Sequence, residues 1–454
     1  MNPNFQIGRA AAASMTALLV ALCGCRGLTA GSTTGSNPGL QSVNHIIFMA
    51  QENRSFDTYF GQLPAYWQAN GFPSQQFDGM PANASNPNYS GTGTVAAFHV
   101  ATECTENLTP SWDESHLDWN LQNPTSSTPT MDGFVYNAAK FAMDSGYYDT
   151  AGIRAMGYYN ATDLNYYYFM ASNFATSDRW FSPALDRTQV NRMYLLAATS
   201  QGYAYPPGTN QNDNAPLTAA TIFDSLQKAG LSWKVYESDP NSTYLTQFAE
   251  YAPPNPLPAN VVPATQFLTD AQNGTLPDVA LIEGGYNSGL DEHPDNNVQS
   301  GAAYVASLIN GFMASPSWSD SVFILTYDEA GGLYDHVPPQ SAVNPDGIAP
   351  VDLNPGDICT SGGANCDFNV TGFRVPMIVI SPFTKKNYVS HTVADYTAIL
   401  KLIETRFNLP ALTQRDAAQM DMTEFFDFQN VPWATPPTPP AQVTGGVCNY
   451  QTLQ

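Results

Sequence analysis

The chain has 454 residues, 43% of them hydrophobic, enough apolar surface to bury a sizeable core. Its 16 Lys+Arg stand against 39 Asp+Glu, a formal charge of −23. So acidic a surface repels nucleic acid and anionic membranes at long range, and no nucleic-acid partner is expected. A phosphate ligand is not barred, because a bound cation inverts the field locally.

The chain opens like an exported one. Arg9 precedes an apolar run from Ala10 to Leu22 that is short for a membrane span, so residues 1–24 read as a signal peptide and the mature chain should carry no transmembrane span. Leu22-Cys23-Gly24-Cys25 also resembles a lipoprotein processing site, with Cys25 as the residue that would carry a lipid anchor. A periplasmic, secreted or envelope-anchored protein is expected. Residues 25–40 read as a flexible Gly/Ser/Thr linker, 41–430 as one large unit and 431–454 as a Pro-rich, extended tail.

Within 41–430, apolar runs end repeatedly in polar or acidic residues. Val43–Ala50 leads into Gln51-Glu52-Asn53, Val279–Ile282 into Glu283, Val322–Tyr327 into Asp328-Glu329, and Val375–Ile380 into Ser381-Pro382. Each predicts a buried, parallel strand; Ser232–Glu237 is a weaker case. Helical periodicity falls at Asn191–Thr199, Leu217–Ala229, Val298–Met313 and Thr392–Phe407. This alternation predicts an α/β fold: a largely parallel central sheet sandwiched between helices. Residues 64–130, 204–216, 238–262 and 338–372 read as long irregular loops. Ligands of such sheets bind beyond the carboxyl ends of the strands, where these acids lie.

Three segments carry candidate chemistry. Glu52-Asn53-Arg54-Ser55-Phe56-Asp57 offers a carboxylate and an amide oxygen to a hard cation, or equally a helix cap. Asp328-Glu329 closes a strand, Gly331-Gly332 allows a tight turn, and Asp335-His336 follows. Asp291-Glu292-His293-Pro294 lies past another strand end, so His293, like His336, could serve as an acid/base group. His116 is a weaker candidate by itself, and His45, His99 and His391 read as structural or surface residues. Thr188, at the start of a helix, is either an N-cap, as Asn191 also could be, or a nucleophile needing a metal or base to activate it.

Beyond the signal there are four cysteines, Cys104, Cys359, Cys366 and Cys448. An even count in an exported chain suggests two disulfides, with three pairings possible. Cys359–Cys366, closing a short Gly-rich loop, and Cys104–Cys448 are favoured; a zinc site is not, as no CxxC accompanies them.

Together the ordered motifs resemble a family of bacterial phosphoesterases that includes non-haemolytic-type phospholipases C and acid phosphatases. The resemblance runs from residue 42 to 420 through residues 52–57, Thr188 with Asn191-Arg192, residues 291–294, Asp328-Glu329 through Asp335-His336-Val337, Gly372–Pro376 and Ile380–Phe383. It implies a fold like that of alkaline phosphatase. It further implies one divalent cation (Ca, Mg, Mn or Zn) held by Glu52, Asn53, Asp328, Glu329 and Thr188, with Thr188 as nucleophile. His116 and His293 would contact the phosphoryl oxygens or protonate the leaving group. His336 is a further catalytic candidate, and Asn191, Asp291 and Asp335 are candidate substrate contacts. The reaction implied is phospholipase C-type diester cleavage through a phospho-threonine, with two alternatives: an acid phosphatase acting on monoesters, or an exported protein that binds cation or phosphate without turnover.

Overall fold

A computed structural model describes residues 39–208 and 214–454. The signal segment, the Cys25 anchor and nearly all of the linker lie outside them.

Eight strands form the central sheet: β1 (His45–Gln51), β2 (Ala175–Ser177), β3 (Trp233–Glu237), β4 (Val261–Pro263), β5 (Val279–Glu283), β6 (Ser321–Tyr327), β7 (Met377–Ile380) and β8 (Tyr388–Ser390). In space they run β8-β2-β7-β6-β1-β5-β3-β4. β1 lies between β5 and β6, parallel to both. Ile46 to Gln51, every residue of β5 and every residue of β6 are buried, so both faces of the sheet are covered. The cover is helical. Thr265–Asn273 packs on Val298–Met313, and Thr188–Ala197 packs on Ile222–Ala229 and Ala398–Phe407. Among the described residues, no helix is long and apolar enough to cross a membrane.

The register positions the site. Ala50 aligns with Glu283, Gln51 with Tyr327, and Glu283 with Glu237. Four neighbouring strands therefore finish at nearly one level, and Glu52, Asp328 and Glu329 leave the sheet at its carboxyl edge, on strands about 4.8 Å apart.

Several expectations are corrected. The run Val375–Ile380 yields a strand, Met377–Ile380, but it is antiparallel to β6 and β2. β2 and β8 are three-residue strands without an apolar run, which is why periodicity misses them. The span 64–130 is not all loop: it holds the end of the helix Leu63–Asn70 and the helix Trp112–Trp119. The helix expected from Leu217 begins at Ile222, where Thr221 and Asp224 form a reciprocal cap. The one expected from Thr392 begins at Ala398, because Ala394–Asp395 pairs with Trp180–Phe181.

The favoured disulfides are both present, Cys104–Cys448 and Cys359–Cys366. The first ties down the tail, which has no helix or strand but is bonded to the body: Val447 and Leu453 accept from Glu103 N and Ala101 N. Replacing Cys104 and Cys448 together by Ser should cost about 2–4 kcal/mol, the usual contribution of a disulfide. Thermal melts of wild type and variant, with and without reductant, measure this; equal melting temperatures would show that the tail is held without the bond.

Candidate active site

β1 ends in Glu52 and Asn53. Asn53 adopts a left-handed backbone (φ 61), a conformation that asparagine tolerates better than most residues. This turns its N–H onto Asp328 Oδ1 at 2.9 Å, while Arg54 N donates to Glu329 O. Gly331 packs against the turn, and a Cβ there would stand 2.4 Å from Asn53 O. The first glycine of the pair is thus required by close approach as well as by its φ of 71.

The helix Thr188–Ala197 brings a hydroxyl to these acids. Thr188 Oγ1 lies 3.2 Å from Glu52 Oε2 and 3.4 Å from Asn53 Oδ1. One turn along, Arg192 donates to Glu52 Oε1 at 2.7 Å and to Ala50 O, and its Nε is 3.9 Å from Asp328 Oδ2. Tyr244 closes the set, its hydroxyl 2.8 Å from Glu52 Oε1 and its ring against the Arg192 guanidinium.

Electrostatics divide the acids. Burial alone would raise the Glu52 carboxyl, but Arg192 and then His293 hold it down at about 2. Burial, then the charges of Glu52 and Glu329, push Asp328 well above the usual carboxylate range. Burial carries Glu329 up to about 8. Asp328 Oδ2 and Glu329 Oε1 are buried without a hydrogen-bond partner. Oxygen ligands with free lone pairs, raised by one another's charge, beside an amide and a hydroxyl, are the donor set of a hard divalent cation. The residues therefore fit the ion expected of them.

The loop after β5 supplies the histidine. Glu292 also has positive φ (71), so its side chain turns into the core, where Tyr59, Tyr167, Tyr327 and Gln51 all donate to its carboxyl. Arg54 grips the carbonyls of Glu292 and His293. Asp291 and His293 are left facing the site. His293 Nδ1 is 2.7 Å from Asp291 Oδ2, and Nε2 is 3.9 Å from Glu52 Oε2. Burial opposes its charge, but the Asp291 hydrogen bond and the Glu52 charge lift it to about 9.

Four expected site residues make their hydrogen bonds to groups other than Glu52, Asp328 and Glu329. The His116 ring is fully buried against Trp112, with Nδ1 2.7 Å from Trp112 O and Nε2 3.4 Å from Asn365 O, and burial lowers it to about 4. Burial keeps the imidazole neutral against the pull of the two carbonyls, only one of which a neutral ring can serve as donor. Asn191 spends its amide on the turn before Thr188, accepting from Ala184 N and donating to Asp186 O. Asp335 and His336 join a separate network. Arg374 donates to Asp335 Oδ1 at 2.9 Å and to Asp57 Oδ1 at 3.1 Å, and His336 lies between Asp57 and Asp78. The Arg374 guanidinium thus pairs with both carboxylates of this group, Asp57 and Asp335.

Sequence reasoning missed Tyr244 and a role for Arg192, and it placed Glu283 at a strand end without giving it one. Arg192 had a signal, since a residue four positions after Thr188 shares its helical face. Tyr244, in an irregular stretch, had none.

Acids at the strand ends thus meet a hydroxyl at a helix start. The chain belongs to the Phosphoesterase family, whose model matches residues 43–410, and it is a phosphoric-ester hydrolase. It is 31% identical over 449 residues to phospholipase C B of Mycobacterium tuberculosis, covering 89% of this chain and 81% of that one. Non-specific phospholipase C4 of Arabidopsis thaliana is 30% identical, covering 85% and 72%. A solved alkaline phosphatase superfamily protein from Vibrio parahaemolyticus aligns over 79% of this chain and 78% of its own at 13% identity, with a TM-score of 0.33, too distant to carry an assignment.

Glu283, at the end of β5, is raised to about 7 by burial, with Oε2 unpartnered. Its folded value exceeds the 4.5 of a free glutamate, so the stability it contributes is present below about pH 4.5 and is lost as pH rises towards about 7. Glu283→Gln should flatten that decline. Denaturant unfolding at pH 4.5, 6 and 7.5 measures it, and parallel profiles for both proteins would contradict the assignment.

Proposed function

We propose that the protein cleaves phosphodiesters of the phospholipase C type, in two steps through a phosphorylated Thr188. One observation carries this: a threonine hydroxyl at a helix N-terminus, within reach of Glu52 and Asn53 and beside acids whose buried oxygens lack partners. The phospholipase C names of relatives about 30% identical over most of the chain support the substrate class.

Glu52, Asn53, Asp328, Glu329 and Thr188 would hold one divalent cation, which would lower the hydroxyl's pKa and neutralise charge on the phosphoryl group. Thr188 Oγ1 gives up its proton to solvent and forms the bond to phosphorus as the bond to the departing oxygen, in line with it, breaks; it takes a proton back from solvent when the phosphoryl group leaves it in the second step. The amides at the start of its helix face the non-bridging oxygens. His293, protonated at neutral pH and oriented by Asp291, gives its Nε2 proton to the departing alkoxide. In the second step the neutral imidazole takes a proton from water, which attacks phosphorus and frees Thr188. Arg192 keeps Glu52 ionised, and Tyr244 holds that carboxylate in place. Export is part of the proposal, because two disulfides suit an oxidising compartment.

Thr188→Ala should lower kcat by about a thousandfold or more, as expected for removing a covalent nucleophile. The assay is head-group release from phosphatidylcholine beside phosphate release from an aryl phosphate, before and after chelation and metal add-back. Wild-type rates in the Ala variant sink the mechanism; turnover of the aryl phosphate alone makes the protein an acid phosphatase.

Because His293 acts in its protonated form, kcat/KM should fall as pH rises through its pKa, at or below about 9 once a cation is bound nearby. His293→Gln should lose that basic limb. A pH–rate profile of the variant that keeps it rules out His293 as the acid.

A further inference from the structure

The loop that follows β5 is drawn tightly around the residues it presents. Gly284 packs against Gln51 and Asp291, and a Cβ there would stand 2.4 Å from Gln51 Oε1. Asn287 N donates to Asp239 Oδ2 at 2.7 Å, Gly289 N to Tyr286 O, and Leu290 N to Gly285 O. Tyr286 thus sits in a turn whose backbone is bonded on both sides.

Its side chain is fixed as well. The ring lies edge-to-face on the imidazole of His293, with centroids 5.0 Å apart and planes at 79°. The hydroxyl donates to Asp295 Oδ2 at 3.1 Å. Asp295 is tied in turn to the tail, because its carbonyl accepts from the Tyr450 hydroxyl. The Tyr286 residue is nevertheless 51% exposed. Tyr59, Tyr167 and Tyr327, which give their hydroxyls to Glu292, are at most 1% exposed.

A single exposed ring needs no explanation by itself. Tyr286 differs in what it touches. In the reaction proposed, His293 protonates the departing oxygen, so a side chain in contact with that imidazole borders the space the departing alcohol occupies. The polar end of Tyr286 is already engaged by Asp295, and what it leaves open is apolar ring. The carboxylates beside it, Asp295 on its hydroxyl and Asp291 on His293, disfavour an anionic alcohol. We propose that Tyr286 is a specificity-determining residue: its ring packs on the carbon skeleton attached to the departing oxygen, and it favours uncharged, apolar alcohols over small polar ones. The inference rests on the reading of His293 as the acid that serves that oxygen.

The test uses the full-length, metal-loaded protein with its Tyr286→Ala and Tyr286→Phe variants. The substrates are dihexanoylphosphatidylcholine, kept monomeric, and glycerophosphocholine. Both release a glycerol oxygen from the same phosphorylcholine, and they differ only in the two acyl groups. The quantity read is the ratio of their kcat/KM values, in which any loss of correctly folded enzyme cancels. Tyr286→Ala should lower the ratio about tenfold in disfavour of the acylated substrate, the order expected for one lost aromatic contact. Tyr286→Phe, which keeps the ring, should hold the ratio near that of wild type. An unchanged ratio in Tyr286→Ala overturns the proposal, even if both rates fall together as they would from a misplaced His293. So does a Phe variant that falls as far as Ala. His293→Gln separates the two claims. It should slow dihexanoylphosphatidylcholine far more than 4-nitrophenyl phosphorylcholine, whose phenoxide departs without a proton. Equal losses there remove the underlying reading, whereas unequal losses with a ratio indifferent to Tyr286 remove only this inference.

Discussion

Three carboxylates are forced together at the carboxyl edge of β1 and β6, out of reach of water, and much of the surrounding structure answers that crowding. Glu52, Asp328 and Glu329 are each at most 2% exposed. Like charges in so dry a place cannot all ionise unaided. Arg192 answers for Glu52, two backbone N–H groups satisfy one oxygen of Asp328, and the oxygens left over call for a cation. Burying charge without partners is expensive, so the arrangement makes sense as a site kept for function, not as a source of stability.

The supports of that edge are rigid for the same reason. Asn53 and Glu292 both take left-handed backbone, and both turns are held from several directions: Gly331 and Asp328 around the first, Arg54 and three tyrosines around the second. Strain of this kind persists only where its surroundings over-determine it. Its effect is to aim Asp291 and His293 at Glu52 while the intervening Glu292 points into the core. Two neighbours in sequence thus serve opposite sides of one loop.

The Asp57, Asp335, His336 and Arg374 network is a useful contrast. It has the residue types of a metal or acid/base site. Every carboxylate in it meets an N–H or a guanidinium, however, and its work is to join the turn after β1 to the turn after β6 and the approach to β7. The difference between the clusters is not composition but whether oxygens remain unpaired.

The apolar runs before Glu52, Glu283 and Asp328 announced three strands, because a strand buried on both faces must be continuously apolar. The acids at their ends were legible as a site for the same reason, since nothing in a core explains them. Antiparallel β7 was not legible, as direction leaves no mark on an apolar run. The three-residue strands β2 and β8 are too short to leave a pattern. Asp335 and His336 could not be separated from the site by spacing, because they follow Glu329 closely and diverge only through the glycine turn. The two carbonyls beside the His116 ring, one from a segment 249 positions away, were likewise beyond the reach of local pattern. The sequence alone, then, determined the chemical types at the strand ends and the class of reaction they suit, because those follow from residue identity and short-range pattern. Which acids meet at one sheet edge and which arginine neutralises Glu52 were decided only by tertiary structure. Those outcomes depend on contacts between segments more than a hundred residues apart, and on the order in which burial lets charges find partners.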